Sequence, residues 1–212
     1  MRKWTKRDFI TMPWKNGGGS TTELAIFPQG SSLDDFVWRL SMANVSTSGS
    51  FSHFAQIDRS LAILSGEGLI LHSDSEQSAS TSVTLTQQSM PYRFSGETSI
   101  NSELSAGPVL DLNMMTRRDV CQHFMQRLTS GEHFVAATDA QQILLYCATG
   151  NAMIQLVGEL QAGDLMLFEE EHEHAGIKFQ IKAEEGVVLY LMRISFLNQR
   201  EDKTEGKYAA MG

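Results

Sequence analysis

Leu64-Ser65-Gly66-Glu67-Gly68-Leu69-Ile70-Leu71 and Ala148-Thr149-Gly150-Asn151-Ala152-Met153-Ile154-Gln155-Leu156 are the stretches whose reading decides the fold. In each, an apolar run enters a glycine turn and a second run leaves it. Glycine tolerates the positive φ of tight turns, so runs of strand length on either side of it predict a hairpin. Gly66 and Gly150 lie 84 residues apart, and both places are followed by a further strand. In the first half that strand is Met90-Pro91-Tyr92-Arg93-Phe94; in the second it follows Ala162-Gly163-Asp164 as Leu165-Met166-Leu167-Phe168.

Strand patterns continue outward. Within Val37-Trp38-Arg39-Leu40-Ser41-Met42-Ala43, Trp38, Leu40 and Met42 share one face and Arg39 and Ser41 the other. Leu110-Asp111-Leu112-Asn113-Met114 alternates in the same way, with Asp111 and Asn113 together, and Val83-Thr84-Leu85-Thr86 is a shorter case. Val187-Val188-Leu189-Tyr190-Leu191-Met192 is apolar throughout, as a strand covered on both faces would be. Strand, glycine turn, strand, turn and strand is the rhythm of a cupin-type barrel, and two copies predict an all-β double cupin (bicupin). Its two β-barrel or jelly-roll halves would carry few short helices. An unrelated β-sandwich is the alternative. The expected halves are 1–115, with the glycine-rich loop and an anion pocket, and 116–212, a scaffold or interface with a polar C-terminal tail from about Asn198. The Ser- and Thr-rich residues 72–82 read as a surface loop. Residues 116–128 fit either a helix capped at Thr116 or a period-two strand.

Composition bounds the function. The chain has 212 residues, 42% of them hydrophobic, and a formal net charge of −8. Such a chain can bury a core but repels phosphate backbones, so no nucleic-acid partner is expected. No apolar stretch reaches membrane-spanning length and the N-terminus has no apolar leader, so a cytoplasmic protein with no membrane partner is expected. Cys121 and Cys147 sit among apolar neighbours outside any Cys-x-x-Cys pair and read as buried free thiols.

Three features bear on chemistry. Met12-Pro13-Trp14-Lys15-Asn16-Gly17-Gly18-Gly19 contains three consecutive glycines. They form either a nest of backbone N–H groups for an anion, with Trp14 as a flat wall and Asn16 as an amide donor, or an Asn-Gly hairpin turn. No Gly-Lys-Ser/Thr ending follows, so this is not a P-loop. The second feature is arginine on or beside strands: Arg39, Arg59, Arg117 and Arg118. A guanidinium inside a barrel needs a partner, either a ligand carboxylate or an internal acid such as Glu23, Asp58 or Asp111. The third, Glu169-Glu170-Glu171-His172-Glu173-His174, contains His-x-His but follows the wrong strand for a cupin metal site and reads as a solvated acidic loop. No catalytic set stands out. His53 and Asp58 could join a serine only on paper, and there is no Gly-x-Ser-x-Gly elbow.

Met-Pro-Trp-Lys-Asn-Gly-Gly-Gly at 12–19, Glu23, Trp-Arg-Leu-Ser-Met-Ala at 38–43, Phe-Ser-His-Phe at 51–54, Ile-Asp-Arg at 57–59 and Asp-Leu-Asn-Met-Met-Thr-Arg-Arg at 111–118 resemble the HutD/Ves family in order and spacing. The resemblance covers most of the chain and is strongest over 10–118. It implies a bicupin with no obligatory metal or other cofactor and a pocket for a small carboxylate. It also implies a link to bacterial histidine utilisation or stress response, perceived through an intermediate such as urocanate or formylglutamate. The expected function is a non-enzymatic binding protein for a small organic anion, with Trp14, Asn16, Gly18, Arg39, Ser41, Arg59, Phe94, Asp111, Asn113 and Arg117 as binding residues. One working pocket is expected, in the first half. The alternatives are a metal-independent enzyme with Asp111 or Glu23 as acid–base group, or a stress-induced regulator acting through protein contacts. A homodimer through a free strand edge is a further expectation.

Overall fold

A computed structural model describes residues 1–75, 78–170 and 176–197. Among them the chain forms seventeen strands and no helix. The first half holds β1 (Arg2–Trp4), β2 (Ile10–Pro13), β3 (Gly19–Phe27), β4 (Trp38–Val45), β5 (Gly49–Ser50), β6 (Ile57–Ser65), β7 (Leu69–Ser75), β8 (Ser78–Leu85), β9 (Tyr92–Ser95), β10 (Ile100–Leu104) and β11 (Val109–Arg117). The second holds β12 (Cys121–Ala137), β13 (Gln142–Thr149), β14 (Asn151–Ile154), β15 (Gly158–Gln161), β16 (Leu165–Glu169) and β17 (Ile177–Phe196).

The first half is a sandwich of two antiparallel sheets, ordered β2-β3-β4-β11-β6-β9 and β5-β10-β7-β8. The expected hairpin at Gly66 is a corner instead. β6 pairs with β9 and β11, while β7 pairs with β8 and β10. Leu61 and Ile63 of β6 meet Leu69 and Leu71 of β7 in one buried cluster, facing one another across the sandwich. Side-by-side pairing would leave both apolar faces on one side with nothing to cover them; folding over buries each against the other. Gly66 has φ 98°, and a Cβ there would lie 2.6 Å from the Pro108 carbonyl oxygen. The Gly150 turn behaves likewise, since β13 and β14 pair not with each other but with successive parts of β17.

The second half is built on two long strands. β12 pairs with β17 over nearly their whole length, with a register break at Thr129/Gly131 where both turn from one layer into the other. Two expectations are corrected and one open alternative is resolved here. No helix is present among the described residues; residues 121–128 are strand; and the polar stretch 72–82 belongs largely to paired β7 and β8, with Ser73 opposite Thr81. Ser and Thr suit an antiparallel ribbon whose outer face is wet, which composition alone reads as loop. Val135, Leu145, Ile154, Phe168, Phe179 and Leu191 belong to the cluster that fills this half, and Phe168 stacks on Phe179 at 4.1 Å.

A third cluster joins the halves. Trp38, Leu40, Leu112 and Met114 on the outer face of the first half share it with Leu144, Tyr146, Tyr190 and Met192 of the second. Each fully buried side chain of this size contributes about 1.5–3 kcal/mol. Trp38 Nε1 donates to Gln142 Oε1 over 2.7 Å across the seam. His123, 3% exposed, bridges Thr116 (2.7 Å) and Ser60 (2.8 Å) beside it. The first strand also crosses over, because β1 adds to β16 at the edge of the second half's sheet. Both cysteines are buried free thiols, as expected.

Candidate functional site

Period-two alternation positions the site. Since Trp38, Leu40, Leu112 and Met114 face the seam, Arg39, Ser41, Asp111 and Asn113 must face the interior of the first half. Strand register then arranges them in rows. Arg39, Met115, Arg59 and Phe94 lie abreast across β4, β11, β6 and β9. The next row is Glu23, Ser41, Asn113 and Leu61, and the next is Thr21, Ala43, Asp111 and Ile63. From these rows Arg39, Met115, Arg59, Ser41, Asn113, Thr21, Ala43 and Asp111 floor a cavity of about 750 Å³, a size suited to a small metabolite. Its other walls include Trp14, Lys15 and Asn16 of the β2–β3 loop, Phe51 and Phe54, and Ser102 of β10.

Two arginines enter the cavity in different states. Arg39 is already paired: its Nε donates to Glu23 Oε2 over 2.8 Å and its Nη1 to Ser41 Oγ over 3.3 Å. Arg59 is 4% exposed and makes no ion pair among the described residues. Its guanidinium carbon lies 5.0 Å from the Phe51 ring, 5.6 Å from Phe54 and 5.0 Å from Phe94. One long bond, 3.4 Å, runs from Nη1 to the Ser52 carbonyl, and Nε has no partner. Burial lowers its pKa to about 10, against the pull of Asp111, so it stays charged at neutral pH. Aromatic faces stabilise a buried cation but offer no acceptor for its N–H groups, which leaves the guanidinium ready for an anion.

Asp111 and Asn113 supply the opposite polarity. Asp111 is 2% exposed, and burial pushes its carboxyl up to about 7, opposed by Arg59 and a hydrogen bond from the Ala43 backbone. Asp111 Oδ1 and Asn113 Oδ1 are buried without partners. Lys15, Arg39 and Arg59 line the cavity against Asp111, so it is locally positive inside a protein of net charge −8.

Seven of the ten expected residues therefore meet at the cavity: Trp14, Asn16, Arg39, Ser41, Arg59, Asp111 and Asn113. Phe94 stands behind Arg59 rather than in the wall. Arg117 points away and clamps another loop, donating to the Phe36 and Asp34 carbonyls at 3.0 and 2.8 Å. Gly18 is also outside the wall. Its N–H is taken by Asn16 Oδ1 at 3.0 Å, and that of Gly17 by the Trp14 carbonyl at 3.1 Å, so the loop is a hairpin turn with those two amides already occupied. Gly19 is required there, since a Cβ would lie 2.2 Å from the Asn44 carbonyl oxygen. Phe51 and Phe54 are the partners that sequence reasoning missed; their spacing to either side of Ser52-His53 was visible, but nothing in it points to an arginine.

Elsewhere, Asp58 is held by Arg93 (2.9 Å) and Arg118 (2.8 Å), so it is not available to orient His53. Among the described residues no group of three His, Cys, Asp or Glu side chains is placed to hold a metal. His172 and His174 lie outside those residues. No helix of the described residues is long and apolar enough to cross a membrane.

A family model described as HutD matches residues 6–189. The chain belongs to the HutD family. An uncharacterised 21.2 kDa protein in the hutC 3′ region of Pseudomonas putida is 30% identical over 181 residues, covering 82% of this chain and 90% of that protein. Protein Ves of Escherichia fergusonii is 36% identical over 119 residues, 54% of this chain and 59% of Ves. Among solved structures, HutD from Pseudomonas fluorescens superposes with a TM-score of 0.75 at 26% identity, covering 92% of this chain and 98% of that one. A conserved protein of unknown function from Pseudomonas aeruginosa gives 0.78 at 31%, with the same coverage. Oxalate decarboxylase of Bacillus subtilis gives 0.60 at 8% identity over 91% of this chain and 76% of its own. That likeness shows the fold alone, the double cupin, shared by this HutD-family chain.

Proposed function

We propose that the protein binds a small organic carboxylate in the cavity of its first half and so modulates histidine utilisation. The observation that carries this reading is Arg59, a buried cation caged by three phenylalanines, with an unpartnered Nε and no acidic partner among the described residues. A charged group is expensive to bury alone, and a ligand carboxylate can supply the missing acceptor through charge-assisted hydrogen bonds. Two relatives add support: the P. putida protein is named for its place beside hutC, and the P. fluorescens HutD was solved in a formate condition. Calorimetric titration with formate, glutamate, formylglutamate and urocanate tests the proposal. Binding by at least one in the micromolar to millimolar range, lost in Arg59→Gln, is expected. Absence of binding by all four removes the choice of ligand.

One observation favours a second reading, a metal-independent enzyme acting on such a carboxylate. Asp111 is buried in the same cavity with a pKa near 7, where a carboxyl can both take and give a proton at neutral pH. Turnover of a bound carboxylate followed by proton NMR, abolished in a folded Asp111→Asn variant, would establish it.

A further inference from the structure

β2 is the end strand of the six-stranded sheet, and no strand takes up its outer edge among the described residues. All four of its residues, Ile10, Thr11, Met12 and Pro13, are exposed, Ile10 at 62% and Met12 at 46%. An open edge offers unpaired N–H and C=O groups to another strand, and proteins guard such edges with charge or shortness. The other outlying strands follow that rule. Arg2 and Lys3 stand on β1, Arg93 on β9, Arg127 and Glu132 on β12 and Glu159 on β15; β5 has two residues, and β8 is mostly Ser and Thr. β2 has no charged residue and carries two large apolar side chains. Its neighbour fixes its hydrogen-bonding direction. Trp14 N–H donates to the Gly19 carbonyl over 2.9 Å, and the β2–β3 register runs without a break from Pro13–Ser20 to Ile10–Glu23. Alternation in an antiparallel ladder then turns the backbones of Met12 and Ile10 towards β3 and that of Thr11 outward. The Thr11 and Thr22 hydroxyls, 2.8 Å apart, agree with this, because side chains approach most closely in the non-hydrogen-bonded pairs.

We propose that β2 is the contact between two copies of this chain, paired antiparallel about a two-fold axis at Thr11. In that register Thr11 and the partner's Thr11 exchange both backbone hydrogen bonds, and Ile10 stands opposite the partner's Met12. The strand is then complementary to itself in backbone and in side chains, which singles out a second copy over an unrelated partner. Pro13, with no N–H to give, ends the seam. Ile10 and Met12 pair with Glu23 and Thr21 and so lie on the inner face of the sheet. Met12 and Pro13 also line the cavity, whose rim on this side includes the half-exposed Leu33. Pairing joins the two sheets into one, with both cavities on the same face, and sets the partner's Ile10 beside Met12 at each mouth. The second copy therefore completes an apolar rim that one chain leaves open. A seam of four residues is short beside a standard stable interface of about 1,600 Å², so the dimer is a dissociable one.

Sedimentation equilibrium of the whole chain up to about 1 mM provides the test, and a reversible monomer–dimer equilibrium in the micromolar range is expected. Ile10→Lys places a charge on the seam, and Thr11→Pro removes the outward N–H donor alone. Each should weaken the dimer at least about tenfold. Phe134→Lys, at an apolar side chain of the second half that is 67% exposed, should leave it unchanged. Circular dichroism checks that the variants fold, and crosslinking reads the register independently of them. A mixture of Ile10→Cys and Met12→Cys chains should form a disulfide-linked dimer on oxidation, whereas neither alone should, because directly opposite residues lie within disulfide reach and diagonal ones do not. The two native cysteines are buried and do not compete. A chain that stays monomeric throughout overturns the proposal. So does a dimer indifferent to both Ile10→Lys and Thr11→Pro, or a mixture that crosslinks no better than its components.

Discussion

Arg39 Nε meets Glu23 Oε2 at 2.8 Å, so one of the two cavity arginines already has its counter-charge while Arg59 has none. The two should therefore differ in their effect on anion binding. Arg59→Gln removes a charge-assisted contact and is expected to weaken carboxylate binding roughly 10- to 100-fold. Arg39→Gln should cost less than tenfold in binding. It strands Glu23 instead, and should appear mainly as a lower melting temperature. Parallel titrations and thermal melts on the two variants check this; equal losses of affinity would contradict it.

Asp111 makes stability depend on pH. Its carboxyl is raised from 3.8 to about 7 by burial. In the folded state it therefore holds its proton where the unfolded chain has released it. That contribution is fully present below pH 4 and is lost as pH rises through 7. Asp111→Asn cannot ionise, so its stability relative to wild type should rise between pH 4 and 7, on the order of 3 kcal/mol in total. Urea denaturation of both proteins across that range measures the difference, and a flat difference would refute the assignment.

His123 works with the opposite sign. Burial, helped by Arg93, depresses its pKa to about 4. The folded state holds it neutral while the unfolded chain is protonated below about 6.5, so its contribution is present above that pH and is lost as pH falls through 4. His123→Gln should flatten the acid limb of the stability profile by up to about 3 kcal/mol. In the wild type this term and the Asp111 term run against each other over the same window. Each should therefore show most clearly when the other is removed.

Leu112 tests whether the halves are one folding unit. It is 0% exposed in the cluster that joins them. Leu112→Ala should cost about 2–5 kcal/mol. Tryptophan fluorescence (Trp4, Trp14 and Trp38) and far-ultraviolet circular dichroism of the whole chain should still lose structure in one coincident urea transition. Two separated transitions would mean that the halves unfold independently.

At Gly19 the prediction is steric. A Cβ would enter the Asn44 carbonyl and come within 2.9 Å of the Trp14 ring. Gly19→Ala should displace the hairpin that forms one cavity wall, lower the melting temperature and weaken carboxylate binding. Gly17→Ala, with nothing within 4 Å of its Cβ but φ at 72°, should cost only the strain of a left-handed alanine, about 1 kcal/mol. Thermal melts and titrations rank the pair.

Alternation alone determined which way Trp38, Leu40, Arg39, Ser41, Asp111 and Asn113 face, because a strand's side-chain period is fixed by backbone geometry. The repeat about Gly66 and Gly150 likewise determined that there would be two β-rich halves. Partner choice between strands was not legible. Gly66 reads as a hairpin, yet β6 and β7 part into different sheets, since burial of Leu61 and Ile63 against Leu69 and Leu71 outweighs local pairing. The helix-or-strand ambiguity after Thr116 was settled only by β17, which pairs with every residue from Cys121 to Thr129. At the site, sequence supplied the list of polar groups but not their state. That Glu23 occupies Arg39, that Phe51, Phe54 and Phe94 enclose Arg59, and that Gly17 and Gly18 spend their amides inside the turn all depend on contacts between strands and loops distant in sequence. A side chain's charge is written in the sequence; whether that charge is already satisfied is decided by what the fold brings within hydrogen-bonding distance.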